Sequence, residues 1–268
     1  MDVRPLLRQL NLRPSRGRGQ SFLADESVLP TLLQAAELTT DDTVLEVGPG
    51  LGILTTALAQ RVGRVVAVEV DSRLADHLAR VLTIFPNVRL LRGDILTVSP
   101  DLLPAPPYKI VANIPYSITA ALLRRFLENP HPPTLLALMV QQEVAERVTA
   151  PPGHWSLLTA SVQFYATARI VARVPARAFY PVPKVDSAVL RLDVRTTPVV
   201  DVAPDRFFRT VAAGFSQRRK QLRNSLAIGL GVTPADAAAL LRQAGLDERR
   251  RAETLNLEEW GRLAEVVT

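Results

Sequence analysis

The sequence predicts an α/β fold, a mostly parallel sheet flanked by helices, followed by a purely helical C-terminal part. Three observations predict it. Thr43-Val44-Leu45-Glu46-Val47 reads as a short buried strand that turns through Gly48, Gly50 and Gly52 into the apolar stretch 53–58. A strand feeding a glycine turn feeding a helix is the opening of a nucleotide-binding βαβ unit. Val65-Val66-Ala67-Val68-Glu69 is a second strand, and it ends in an acid about 20 residues past the first glycine. Beyond Thr196-Thr197-Pro198 the apolar pattern becomes purely helical.

Taken in order, residues 1–19 hold Arg4, Arg8, Arg13, Arg16 and Arg18 against one acid, Asp2. This is a loose basic arm able to lie on phosphates, or a solvated tail. Gly19-Gln20-Ser21 is a tight turn anchored by Phe22 and Leu23. A helix follows from Asp25, with Val28, Leu29, Leu32, Leu33 and Ala36 on one face. Ser72 is placed to cap a helix carrying Leu74, Leu78 and Leu82. Residues 88–91 form a third strand before Gly93-Asp94-Ile95, and 108–112 a fourth that runs into Asn113-Ile114-Pro115-Tyr116. Residues 134–140 are a fifth, fully buried strand, with helices expected over 117–127, 141–148 and 155–164.

Residues 166–174 and 187–194 alternate as strands, with Arg169 and Arg173 on the polar side of the first and Arg191 and Asp193 on that of the second. Between them, 179–187 (FYPVPKVDS) is stiffened by prolines and presents an aromatic and Lys184, as the wall of a site or as a plain crossover. Helices are then expected over 204–215 and 218–230. A third opens with Thr233-Pro234 and Asp236, and a last one with an Asn256 cap and Glu259. The linker divides the chain into a domain of residues 1–197 and a helical one of 198–268.

At 268 residues, 47% hydrophobic and 22% charged, the chain is long enough for a sizeable core. A net charge of +6 favours an acidic partner, with nucleic acid first in line. Six basic residues and no acid lie between 206 and 223, which with the N-terminal arginines concentrates charge at the two ends. Absence of cysteine excludes disulfides and thiolate metal sites, and no metal is called for. No apolar run reaches the length of a membrane span, and the N-terminus has no secretory signal.

The glycine turn lets a ligand approach the main chain, and the helix start offers N–H donors. Glu69 stands where a carboxylate reaches both hydroxyls of a ribose. Together they point to an adenosine-type ligand, the alternative being a structural turn. Asp94, beyond a strand's carboxyl end, can accept an adenine amino proton while Ile95 packs on the ring, or it is a turn aspartate. Pro115 lacks an N–H and holds Ile114 extended. That leaves the Asn113 amide oxygen and the Ile114 carbonyl as acceptors converging on one point beside the flat face of Tyr116. The pair suits a planar amine such as the exocyclic group of adenine.

The ordered set GQSFLAD at Gly19, EVGPGLGILT at Glu46, VEVD at Val68, GDIL at Gly93, NIPY at Asn113, FYPVPKVDSAVLRL at Phe179 and FSQRRKQLRNSL at Phe215 resembles the small-subunit ribosomal RNA adenine dimethyltransferases nearly end to end. The resemblance implies a Rossmann-like class I methyltransferase domain with a seven-stranded, mostly parallel sheet, one strand antiparallel, and a small all-α RNA-binding C-terminal domain. It implies S-adenosylmethionine as cofactor and dimethylation of N6 on two adjacent adenosines of 16S rRNA, within a pre-assembled 30S particle, by a cytoplasmic monomer acting in ribosome biogenesis.

Carried over by position, Gln20, Ser21 and Leu23 lie near the methionine end of the cofactor. Gly48 and Gly50 pass beneath it, Glu69 and Val70 meet the ribose, and Asp94 and Ile95 meet the adenine. Asn113, Pro115 and Tyr116 form the methyl-accepting site, with Phe179 on the other face of the target base. The expected RNA contacts are Arg16, Arg18, Lys184, Arg218, Arg219, Lys220 and Arg223. Two positions depart from the family pattern: Ser21 replaces an Asn and reaches less far, and Ile114 replaces a Leu. The Ile variant is common in the resistance methyltransferases of large-subunit (23S) RNA, but the QRRKQLRN segment and the C-terminal helices resemble the small-subunit branch. The alternatives are therefore a large-subunit methyltransferase, a non-catalytic assembly or transcription factor on the same scaffold, and a nicotinamide dehydrogenase using the same glycine turn.

Overall fold

The computed structural model describes residues 2–14 and 20–267; the expected RNA contacts Arg16 and Arg18 lie outside the described residues. Its elements run α1 (Arg4–Gln9), β1 (Phe22–Leu23), α2 (Leu29–Ala35), β2 (Thr43–Val47), α3 (Ile53–Ala59), β3 (Arg64–Glu69), α4 (Ser72–Val81) and β4 (Val88–Arg92). Then follow β5 (Lys109–Asn113), α5 (Thr119–Leu127), β6 (Leu135–Gln141), α6 (Gln142–Val148), α7 (Leu157–Tyr165), β7 (Ala166–Val174), β8 (Phe179–Tyr180) and β9 (Ser187–Val194). The chain finishes with α8 (Pro204–Gly214), α9 (Leu222–Leu230), α10 (Pro234–Gln243) and α11 (Leu257–Val266). No single helix among the described residues is long and apolar enough to cross a membrane.

Two compact units emerge, one of residues 1–145 and 167–194, the other of 146–166 and 195–268. The first holds a seven-stranded sheet in the order β4-β3-β2-β5-β6-β9-β7. Its neighbours from β4 to β6 are parallel, and β9 runs antiparallel to β6. Strands with both faces covered need apolar side chains on both, and the unbroken runs in β2, β3, β5 and β6 supply them. Alternation misleads at β9. Arg191, expected on a solvated face, is only 7% exposed, because β9 lies inside the sheet. It donates to the Ala35 carbonyl at 3.0 Å and pairs with Glu37 and Asp193.

The N-terminal arm is not loose over its described part. Val3, Leu7 and Leu12 are buried against Phe22, Leu51 and Leu74, apolar residues of α1 and its flanks hidden among arginines. The two-residue strands β1 and β8 pair antiparallel, Phe22 with Tyr180 and Leu23 with Phe179. The cap of α4 is Asp71, not Ser72: its Oδ1 accepts the N–H groups of Arg73 and Leu74.

The second unit is helical and includes α7, which the linker-based division at residue 197 leaves with the sheet. Trp155, Ala160 and Phe164 share one core with Phe207, Leu222 and Trp260, and the Phe164 and Phe207 rings lie 4.4 Å apart. An apolar helix buries its stripe wherever partners are available, whatever the chain order. The 218–230 helix starts late, at Leu222; residues 218–220 form a turn held by Lys220 N–H donating to Gln217 O at 3.0 Å.

Candidate active site

In the strand order the chain steps outward from β2 in both directions, through β3 and β4 on one side and β5 and β6 on the other. At such a switch point the loops leaving the strand ends diverge and leave a crevice. A cavity of about 330 Å³ opens there. Its walls include Gln20, Ser21 and Leu23, the turn residues Gly48 and Gly50, Glu69 and Val70 after β3, and Asp94 and Ile95 after β4. Asn113, Ile114, Pro115 and Tyr116 complete it from the end of β5.

The glycine turn is forced open. Gly48, Gly50 and Gly52 have φ values of +67°, +60° and +84°, and a Cβ on Gly50 would stand 3.3 Å from the Phe22 ring. At Gly48 a Cβ would meet Pro115 Cδ at 3.6 Å, so the turn lies directly against the strap after β5. The three glycine N–H groups are not free donors. They bond to Val68 O, Glu69 Oε2 and Pro49 O at 3.0, 3.0 and 2.9 Å respectively.

Glu69 uses both oxygens on the backbone: Oε2 on Gly50 N–H at 3.0 Å and Oε1 on Asp71 N–H at 2.9 Å. Burial pushes its carboxyl above the usual range, and the two backbone bonds oppose that. A carboxylate has about four acceptor sites, so both oxygens can still receive a ribose hydroxyl. A glutamine would have to turn its NH₂ against one of the two N–H groups. Glu69→Gln is therefore expected to destabilise the glycine turn by about 1–3 kcal/mol, from a donor left unsatisfied. A thermal melt measures it; a melting temperature unchanged in the variant would refute this bracing. Asp94 Oδ1 accepts Leu96 N–H at 2.9 Å, so it is a turn aspartate and a cavity residue together.

Beyond the turn lies the acceptor strap. Ile114 N–H bonds to Met139 O at 3.2 Å, fixing it to β6. Asn113 Nδ2 donates to the Ser21 carbonyl at 3.5 Å, which leaves its Oδ1 as the acceptor available at the cavity. Ser21 thus braces Asn113 through its main chain, while its hydroxyl donates to Pro181 O at 3.1 Å. The Tyr116 hydroxyl lies 2.6 Å from Ser187 Oγ, which holds the ring in place, and burial raises its phenol.

Phe179 does not join this group. It is 2% exposed, packs in a core cluster with Leu23 and Met139, and is absent from the cavity lining. Successive strand residues face opposite ways; in the short β8 strand it is Tyr180, 37% exposed, that faces out.

One wall residue escaped the sequence reading. Glu46 interrupts an apolar strand, lines the cavity and is 1% exposed. Its Oε2 has no hydrogen-bond partner among the described residues. An acid inside an otherwise apolar strand was the signal. With Glu69 and Asp94 the lining carries, among the described residues, three acids and no Lys, Arg or His. Glycine N–H groups spent internally and a lining rich in acids weigh against a pyrophosphate at the turn, and so against the dinucleotide dehydrogenase reading. The same lining suits an adenosine that carries positive charge.

A ribosomal RNA adenine dimethylase family model matches residues 12–268. The chain belongs to this family. Among the dimethylase relatives, the small-subunit methyltransferase A of Dehalococcoides mccartyi is 46% identical over 98% of this chain and 91% of its own. That of Moorella thermoacetica is 43% identical over 98% and 95%. Among solved structures, the 23S rRNA methyltransferase ErmE superposes with a TM-score of 0.73 at 34% identity, covering 92% of this chain and 99% of its own. A dimethyladenosine transferase from Plasmodium falciparum gives a TM-score of 0.79 at 23% identity, over 90% and 95%. The curated relatives at 37–46% identity are small-subunit enzymes, which favours that branch over the large-subunit one despite Ile114.

The expected RNA contacts of this dimethylase divide. Lys184, Arg218, Arg219 and Lys220 are exposed. Arg223 is half-buried: its Nη1 pairs with Glu248 at 3.3 Å and its Nε is buried without a partner among the described residues.

Proposed function

We propose that the protein moves methyl groups from S-adenosylmethionine to N6 of two adjacent adenosines in small-subunit rRNA. The observation that carries this is the contact of the acid-lined cavity with the Asn113 strap through Gly48 and Pro115. Glu69 would hold the ribose, Asp94 and Ile95 the adenine, and Gln20, Ser21 and Leu23 the methionine end. When bound, the cofactor supplies an electrophilic methyl group on a positively charged sulfur.

The chain's own part is positioning. The adenine amine is a poor nucleophile because its lone pair is delocalised into the ring. Asn113 Oδ1 and the Ile114 carbonyl each accept one of its N–H groups, drawing the nitrogen toward tetrahedral geometry and aiming its lone pair. Correct placement supplies roughly 7–11 kcal/mol, and no strong base is needed because the amine proton becomes acidic as the new bond forms. Tyr116, locked by Ser187, offers a stacking face worth about 1–3 kcal/mol to a base removed from its stack. Phe179 supports the wall from behind rather than covering the base.

Lys184 and the 218–220 turn would meet phosphates, as would Arg16 and Arg18. Structured RNA is recognised largely by shape, so the substrate is rRNA folded within a 30S particle, met in the cytoplasm by a monomer. The test is incubation with labelled S-adenosylmethionine and small subunits from a strain lacking the modification. Label is expected as dimethyladenosine at two neighbouring positions of the small-subunit RNA. Label confined to large-subunit RNA, or none, overturns the reading.

A further inference from the structure

Glu46 has no task in the transfer described above, yet it is the most deeply buried acid of the cavity wall, 1% exposed near the end of β2. The groups that act on it are the Thr55 hydroxyl from α3 and the Glu69 carboxylate from β3. Among the described residues, neither Glu46 Oε2 nor Thr55 Oγ1 has a hydrogen-bond partner, and the lining contains no Lys, Arg or His. A carboxylate buried without a cation or a full set of donors takes up a proton instead of staying charged. Burial pushes this carboxyl up to about 8; the Thr55 hydroxyl pulls against that and the Glu69 charge adds to it.

We propose that Glu46 is a proton-linked receptor for the positive charge of the methyl donor, neutral in the free protein and ionised when the donor's cationic methionine end enters. Its O–H bond breaks, the proton passes to solvent, and the carboxylate stays behind as counter-charge; no electrons move. The inference rests on the cavity holding the sulfonium donor. It makes charge, beyond adenosine shape, a condition of binding. A neutral nucleoside with the same adenosine part finds a protonated Glu46 and has no means of ionising it.

Calorimetric titration of the full chain with S-adenosylmethionine tests this, run at about pH 6.5, where the donor's α-ammonium stays charged. Phosphate and Tris buffers differ in ionisation enthalpy, so the difference in observed heat counts protons. Release of close to one proton is expected for the wild type and none for Glu46→Gln. Affinity is expected to rise by up to about tenfold per pH unit below about pH 7 in the wild type and to stay flat in the variant. Neutral 5′-methylthioadenosine is expected to bind without release. S-adenosylhomocysteine, which keeps the ammonium but not the sulfonium charge, then assigns the responsible cation: release with it names the ammonium, absence of release names the sulfonium.

Thermal melts check that the variant folds. The raised native pKa means the folded state holds a proton that the unfolded chain has lost between about 4.5 and about 8. Stability therefore falls as pH rises through that window, and Glu46→Gln is expected to gain more in melting temperature at the top of it than at the bottom. Donor binding with no dependence on buffer, or equal release by Glu46→Gln, overturns the proposal. Absence of any binding heat would instead sink the reading of the cavity as the donor site.

Discussion

Asn113→Ala is expected to lower methyl transfer by about 10²–10³-fold or more while leaving cofactor affinity within about tenfold of the wild type. The rate figure is that of removing one oriented hydrogen-bond partner from a reacting centre. The split between rate and binding follows from the geometry. Among the described residues Asn113 Nδ2 holds only the Ser21 carbonyl, at 3.5 Å, a long bond whose loss loosens one edge of the cavity. Its Oδ1 is the atom proposed to meet the amine. Single-turnover kinetics with saturating cofactor measure the first quantity and calorimetry the second. Ser21→Ala is the control. It deletes the hydroxyl bound to Pro181 but keeps the main-chain carbonyl, so most activity should survive. Full activity in Asn113→Ala would falsify the acceptor assignment.

The second large effect is on stability. Gly229→Ala in α9 is expected to destabilise the helical unit by about 3 kcal/mol or more. A Cβ there would stand 2.4 Å from the Cα and 2.6 Å from the carbonyl oxygen of Ala213 in α8. Both are backbone atoms, so no side chain can swing aside. In an exposed helix interior the same change gains about 1 kcal/mol of helix propensity; overpacking against a rigid neighbour costs typically about 1–3 kcal/mol and more where the backbone must move. The clash wins. At about 2–4 °C per kcal/mol for a chain of this size, melting should fall by roughly 10 °C. A melt equal to or above that of the wild type would show that the two helices do not cross there.

The sheet was legible because its strands are apolar and β-branched between clear turn signals, and all seven fall within a residue or two of their expected spans. The cavity was legible because glycines, Glu69, Asp94 and Asn113 sit at strand ends, where sequence spacing translates directly into position. What stayed hidden depends on neighbours remote in sequence. The inward turn of Arg191 needs Glu37 and Ala35, more than 150 residues away. Inward burial of Phe179 needs the β1 partner Leu23. Arg223 looks like its basic neighbours until Glu248 is placed beside it. Capping errors have a local cause: Asp71 and Ser72 are adjacent and both suit the position.

The split composition of the helical unit has a consequence for synthesis. Segment 146–166 leaves the ribosome before any of 195–268, so Trp155 and Phe164 wait for roughly 40 more residues before Phe207 emerges, some seconds at about 5–20 residues per second. During the same interval the antiparallel strand β9 has yet to slot beside β6. A nascent chain at that stage shows both an unfilled sheet slot and a greasy helix, so its yield in the cell should track the supply of chaperones that shield emerging polypeptides.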